Sequence, residues 1–412
     1  MTTQARCPYP LDASGSDIHG EGAALAERGP ATRVTLPGLS EEIPAWSVTD
    51  PALVRKLLIS PYVSKDAHQH WPAYRNGQIP ESWPLRVWTD VRNALTAYGR
   101  EHTRLRKPLK AAFSSRRVRA MEPTIRTITD ELLDELAPGP AGGPVDFRAR
   151  FAWRLPLLVV NTVLGVPSWM HDQFRDAIGL LFNTSLTGEE AAAALKEVRR
   201  LLGLLIAHRR TTAGDDVTSA LIATQEASAI SEDELIDSLL LLIGAGHETT
   251  VNLLDHAVVN LLTHPAQLDL ARTGQIGWPK VVEETLRHQA PVASILLRFA
   301  TTTFLDEQSG VTFEEGDAIV INYAAANRNP RVHGANAAAF DITRTSHEHL
   351  AFGHGTHFCL GAELARLEAT IALEALTTRY PAMRLAVDPV ELKPLPSFIS
   401  NGHQEVPITL AA

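Results

Sequence analysis

Ala351-Phe352-Gly353-His354-Gly355-Thr356-His357-Phe358-Cys359-Leu360-Gly361 runs directly into Ala362-Glu363-Leu364-Ala365-Arg366-Leu367, an apolar pattern of helical period. Gly353, Gly355 and Gly361 fall within nine residues, and glycine admits tight backbone paths closed to other residues. Cys359 therefore stands just ahead of a helix N-terminus, where free backbone N–H groups and the helix dipole stabilise a thiolate. A thiolate on a glycine-rich loop is a good axial ligand for haem iron. A lone cysteine in an intracellular chain is as often a small buried hydrophobe. On spacing alone the two readings stand level.

The rest of the chain narrows the field. Its 412 residues carry 38 Lys and Arg against 47 Asp and Glu, a net charge of −9. An acidic chain with a pI near 6.0 argues against a general nucleic-acid or anionic-membrane binder. Two cysteines, Cys7 and Cys359, exclude a disulfide scaffold and a four-cysteine metal site. Cys7 precedes Pro8 in an N-terminal arm and reads as incidental. Residues 1–31 hold no apolar core of secretory type. The most apolar stretch, 235–262, is broken by His247, Glu248, Asn252, Asp255 and His256, which is not a membrane span. The expected address is cytoplasmic, with no membrane and no nucleic acid among the partners.

Helical periodicity covers 51–59, 100–107, 122–136, 168–182, 189–210, 231–263, 279–288 and 362–379. Strands are expected at 31–36, 44–49, 295–301 and 318–321, and the first thirty residues as a surface run. The fold class is mainly α with a small β-sheet subregion. Because the strands come from both ends of the chain, residues 1–412 are expected to form one domain. Ser231-Glu232-Asp233-Glu234 is a capping box that opens a long central helix.

Phe352, Gly355, Cys359 and Gly361 match Phe-x-x-Gly-x-x-x-Cys-x-Gly. On this pattern the chain resembles the cytochrome P-450 superfamily, whose fold sets a long helix over a haem. The resemblance implies haem b (iron protoporphyrin IX), with Cys359 as the iron's protein ligand. Phe352, Gly353 and Gly361 would line the cofactor, and His357 would bind a haem propionate. Glu284-Thr285-Leu286-Arg287 matches the family's Glu-x-x-Arg, whose ends share one helical face. A structural triad follows by resemblance, completed by Arg344 in preference to Arg328.

Gly244-Ala245-Gly246-His247-Glu248-Thr249-Thr250 lies midway along the long helix. The plain reading is a helix bend with a back-bonded threonine. The resemblance implies instead a groove beside the iron, lined by Ala245 and Gly246. There Thr249 hydrogen-bonds the oxygen ligand and Glu248 relays protons. His247 and Thr250 receive no role. His102 and Arg106 share a helical face at i and i+4 and resemble the family's propionate clamp, with Arg298 as a further propionate ligand.

Arg104, Arg106, Lys107, Lys110, Arg116, Arg117 and Arg119 form a basic run on an acidic protein. Such a run is usually a solvated face, and it can also steer an acidic partner. The resemblance implies a ferredoxin and an NAD(P)H-dependent ferredoxin reductase as electron donors, O2 as co-substrate, and a monomeric monooxygenase. A peroxide-driven, desaturating or ring-forming haem oxidase is the first alternative, and a non-enzymatic haem sensor or carrier the second. By analogy alone the substrate is a medium-to-large apolar small molecule. Its walls are sought in the 64–91 loop, the 182–185 turn, and at 292–296 and 398–399. Trp88, Leu242, Ala245, Val292, Ile295 and Ile399 are the named contacts. Trp71, Trp83 and Trp88 suggest an apolar entrance, or else packing against the core.

Overall fold

The computed structural model describes residues 7–39, 43–137, 143–178, 180, 186–227 and 229–410. The expected 182–185 turn, as part of the substrate wall, lies outside them. One sheet runs in the order Tyr9–Pro10, Ala31–Thr35, Pro44–Val48, Ala318–Asn322, Ser294–Ala300 and Val63–Ser64. Its middle joins chain ends: Pro44–Val48 pairs in parallel with Ala318–Asn322, Ala45 facing Ala318. Ala318–Asn322 is buried at every position, as a strand covered on both faces must be. Helices fill the remainder around the central helix Glu232–Thr263.

That helix begins where expected. The Ser231 hydroxyl accepts from the Glu234 N–H at 3.2 Å, and Glu234 accepts from the Ser231 N–H at 2.8 Å. Its 32 residues span about 48 Å at 1.5 Å per residue, and it packs against Arg154–Leu164, Trp278–His288 and Ala362–Arg379. Val251, Leu254, Val258 and Leu261 join one core, while Leu235, Leu239 and Ile243 join a second beneath Gly188–Thr211.

Three expectations are corrected. The first thirty residues contain the helix Ile18–Arg28, capped by Asp17 and anchored by fully buried Leu25. Its stabiliser is distant packing against Tyr323–Asn327, which local composition does not reveal. The helix expected at 100–107 runs Gly99–Ala112, straight through Pro108. Burial of Leu105 and Leu109 outweighs the one hydrogen bond that proline removes. The segment 168–182 is a single turn, Ser168–Met170, then a helix His171–Ile178, with its expected end outside the described residues. No described helix is long and apolar enough to cross a membrane.

Candidate active site

The cysteine loop is built from its glycines. Gly353 (φ +71°) and Gly355 (φ +73°) lie in the left-handed region. A side chain on Gly355 would stand 2.8 Å from the Leu58 carbonyl oxygen and from Ile59, so only glycine fits there. The loop closes when the Cys359 N–H donates to the Phe352 carbonyl at 2.9 Å. Helix Ala362–Arg379 starts directly after, and the N–H groups of Gly361 and Ala362 point at the Cys359 sulfur. Burial pushes the thiol pKa up, and these two donors with Arg106 and Arg366 pull it back. Cys359 is nonetheless accessible. A side chain that is enclosed and accessible at once borders an internal cleft.

Accessible groups also share one face of the central helix. Ala245 is exposed and Thr249 half-buried, although their neighbours Leu242, Ile243, Gly244, His247 and Glu248 are buried. The Thr249 hydroxyl donates to the Ala245 carbonyl at 2.8 Å. The helix therefore continues without a break, where an opened groove was expected. Gly246, expected against the cofactor, has another reason to lack a side chain. A Cβ there would come within 2.9 Å of Val160 on the neighbouring helix.

A second set of groups gathers around His102, His357 and Arg298. The imidazoles of His102 and His357 lie 4.1 Å apart, centroid to centroid. Arg106, one turn beyond His102, donates to the Phe358 carbonyl and so ties its helix to the cysteine loop. Nε2 of His102, Nδ1 of His357 and Nη1 of Arg298 have no partner among the described residues. Burial, followed by the charges of Lys65, His102, Arg298 and Arg106, drives His357 far below its usual pKa. Burial and Arg106 lower His102. Buried donors go unpaired at a cost. Their clustering fits a ligand with carboxylates and an extended apolar body, and a haem beside a thiolate meets that description.

Glu248 sits on the buried side of the helix, where sequence reasoning gave it no partner. Arg148 donates to Glu248 at 2.9 Å, to Asp255 at 2.9 Å and to Asn252 at 2.8 Å. Asp255 also takes the His403 backbone N–H at 2.8 Å, and the Ser400 hydroxyl lies 3.4 Å from Glu248. Burial raises the Glu248 pKa, against Arg148. Asp255 would be raised by burial too, but hydrogen bonding from His403 brings it to about 2. Arg148 opens a wide helical turn, Arg148–Ala152, and lies a hundred residues from Glu248 in the chain. Its own stretch, Phe147 to Leu158, also carries Arg150 and Arg154, so nothing local sets Arg148 apart.

The Glu284 carboxylate receives two bonds from Arg287, both 2.7 Å, and one from Arg344 at 3.2 Å. Arg344 is the third arginine. Arg328 donates to the His288 carbonyl instead. Arg287 further reaches the carbonyls of Ala337 and Ala339 at 2.7 and 2.8 Å, fastening the segment that leads to the cysteine loop.

The expected substrate contacts divide. Ala245 is accessible, and Trp88, Val292 and Ile295 are half-buried. Leu242 is buried within the helical core. Ile399 is 1% exposed and packs with Leu296 and Phe299. It is a core residue in this structure, and its backbone carbonyl accepts from Ala293 at 2.8 Å. Trp71 and Trp83 are likewise core: Trp71 stacks on Phe299 at 5.3 Å, and the Trp83 indole donates to the Pro37 carbonyl at 2.8 Å. The basic run divides too. Arg104 pairs with Glu101 and Glu234, and Arg117 with Asp215. Lys107, Lys110, Arg116 and Arg119 are exposed.

Comparison with known proteins places this site in context. A family model described as Cytochrome P450 matches residues 278–393. The sequence is 40% identical over 405 residues to 2-hydroxy-5-methyl-1-naphthoate 7-hydroxylase of Streptomyces carzinostaticus, covering 98% of each chain. It is 35% identical over 401 residues to 6-deoxyerythronolide B hydroxylase of Saccharopolyspora erythraea, covering 94% of this chain and 95% of the relative. CYP154A1 from Streptomyces coelicolor A3(2) superposes with a TM-score of 0.92 at 49% identity, covering 98% of this chain and 100% of that one.

Proposed function

Because the chain belongs to the cytochrome P450 superfamily, it is a haem-dependent monooxygenase, and we propose that it acts on a medium-to-large apolar small molecule of secondary metabolism. The reaction is insertion of one oxygen atom of O2 into a C–H bond. The observation that carries this reading is the pairing of Cys359, whose sulfur faces two backbone N–H groups, with unpaired donors on His102, His357 and Arg298. The two relatives named as hydroxylases act, by those names, on a naphthoate and on 6-deoxyerythronolide B. The interleaving of sheet strands from both chain ends supports a single domain over 1–412.

In this reading haem b supplies the oxygen-activating chemistry at an iron held by the Cys359 thiolate. Gly361 and Ala362 would favour the thiolate by donating to it, against the burial that raises its pKa. His102, Arg106, Arg298 and His357 hold the carboxylates. Phe352 covers the sulfur side, fixed by the Arg366 guanidinium 4.5 Å above its ring. Ala245 would leave room for the cofactor beside the central helix, and the Thr249 hydroxyl, released from the Ala245 carbonyl, would donate a hydrogen bond on that side. Glu248 delivers protons once it exchanges Arg148 for a neighbour on the Thr249 face. Ala245, Val292, Ile295 and Trp88 contact substrate.

Electrons come from a ferredoxin and its reductase. Lys107, Lys110, Arg116 and Arg119 offer the docking face. Their segment is fastened to the cysteine loop by Arg106 and by the Ser115 hydroxyl, which donates to Glu363 at 2.8 Å. The test is an optical titration of the ferric protein with apolar compounds, followed by turnover with ferredoxin, reductase and NADPH. Ligands that shift the spectrum and are hydroxylated bear the proposal out. Product formed with hydrogen peroxide and none with the ferredoxin chain would refute the electron route.

A further inference from the structure

Lys65 is buried, and no role falls to it in the site as described. It follows the short strand Val63–Ser64, which pairs antiparallel with Ser294–Ala300 so that Val63 faces Ala300 and Ser64 faces Phe299. One step further in this register sets Lys65 opposite Arg298, and residues directly opposite in an antiparallel pair project from the same face. Both side chains are 5% exposed. Two cations so placed repel each other, and burial makes both costly.

What surrounds them does not offset that cost. The Lys65 ammonium donates to the Leu296 carbonyl at 2.9 Å, one bond for a group with three donors. Arg298 bonds the Tyr323 hydroxyl and leaves Nη1 unpaired. Burial first, then Arg298, lowers the Lys65 pKa far below its usual value. Among the described residues, the charged groups with the largest influence on this cluster are Lys65, Arg298, Arg106, His102 and the Cys359 sulfur. No Asp or Glu is among them. Arg106 spends one donor on the Phe358 carbonyl and is only half-buried, so Lys65 and Arg298 are the two buried cations of the cluster that still lack an anion.

We propose that Lys65 is a haem-carboxylate ligand, its ammonium pairing with a propionate beside Arg298. This rests on the haem reading given above. Lys65 thereby becomes the fifth member of a clamp drawn from four separate segments: the end of one strand, the His102 helix, the Arg298 strand and the cysteine loop. The like charges on adjacent strands then act as one receptor, with the carboxylate between them.

The experiment compares ferric holoproteins of wild type, Lys65→Gln and Lys65→Arg. Glutamine keeps a donor for the Leu296 carbonyl and removes the charge; arginine keeps the charge. Haem transfer to excess apomyoglobin gives the dissociation rate, and resonance Raman gives the propionate bending band. Loss of one charge-assisted bond predicts roughly ten- to hundredfold faster haem loss in Lys65→Gln, with a shifted propionate band. Lys65→Arg should lose haem within about threefold of the wild-type rate by the same reasoning. Wild-type loss rate and an unmoved band in Lys65→Gln would overturn the proposal. Faster loss with an unmoved band would overturn it as well, by assigning Lys65 to holding its strand. If Lys65→Gln yields no holoprotein, the propionate band of Lys65→Arg decides, because a guanidinium in place of an ammonium must move it. A wild-type protein that binds no haem would defeat the haem reading itself, a separate outcome.

Discussion

Replacing Arg148 by methionine isolates the buried charges behind the central helix. Arg148 is 5% exposed, and its partners Glu248 and Asp255 are 6% and 0% exposed. Methionine fills much of the volume but leaves two carboxylates without their shared cation. Asp255 keeps His403, while Glu248 keeps only the Ser400 hydroxyl at 3.4 Å. Breaking a buried pair by removing one partner costs about 3–5 kcal/mol. With an unfolding entropy of about 2.1 cal/mol/K per residue, a chain of 412 residues should lose about 3–6 °C in Tm. The loss should depend on pH. Burial raises the folded-state pKa of Glu248 and Arg148 opposes that rise, so the variant's Glu248 has the higher pKa. A carboxyl raised in the folded state destabilises above its unfolded pKa, and the penalty fades as it takes up a proton. The gap between variant and wild type should therefore be widest near pH 8 and narrow toward pH 5. Differential scanning calorimetry of both holoproteins across that range measures it. A gap below about 1 °C at pH 8, on the same entropy scale, or one that widens toward acid, would refute the reasoning.

Thr249→Ala should fold and bind haem, yet form less product per NADPH consumed and release more hydrogen peroxide. Losing a positioned donor typically costs ~2.7–4 kcal/mol, and a product ratio equal to wild type would leave Thr249 as a back-bonded helix residue. Charge reversal at Lys107 or Lys110 should slow reduction by ferredoxin and flatten its salt dependence, because exposed charges are screened beyond about 10 Å at 0.1 M salt; stopped-flow reduction rates unchanged in both variants would move the docking face elsewhere. Gly355→Ala should lower Tm and haem retention together, since its φ of +73° and the 2.8 Å approach to the Leu58 oxygen leave no room for a methyl group.

What could be read from the sequence was local. Ser231 with Glu234, Asp50 ahead of Pro51, and the Gly361 to Ala362 step each mark a helix start within four residues, and each helix begins there. Cys359, His102, Arg106 and His357 are picked out by a family resemblance carried on short motifs, and the structure brings the His102 and His357 rings together and ties Arg106 to the cysteine loop. Failures came where the deciding partner is far along the chain. Pro108 signalled a stop that the burial of Leu105 and Leu109 overrides. Trp71 and Trp83 were open to either an entrance or core packing, and Phe299 and the Pro37 carbonyl, far along the chain, hold them in the core. Ile399 faces inward for a similar reason. Arg148 and Lys65 find their partners a hundred or more residues away, and nothing in their own neighbourhoods announces them.

The central claim is that Cys359 is the thiolate ligand of a haem iron. The direct measurement is the optical spectrum of the reduced protein under carbon monoxide, taken for wild type and for Cys359→Ala. Wild type should absorb in the region diagnostic of thiolate ligation, and the variant should lose that band. A wild-type band typical of histidine-ligated haem, or a thiolate band that survives in Cys359→Ala, would contradict the account.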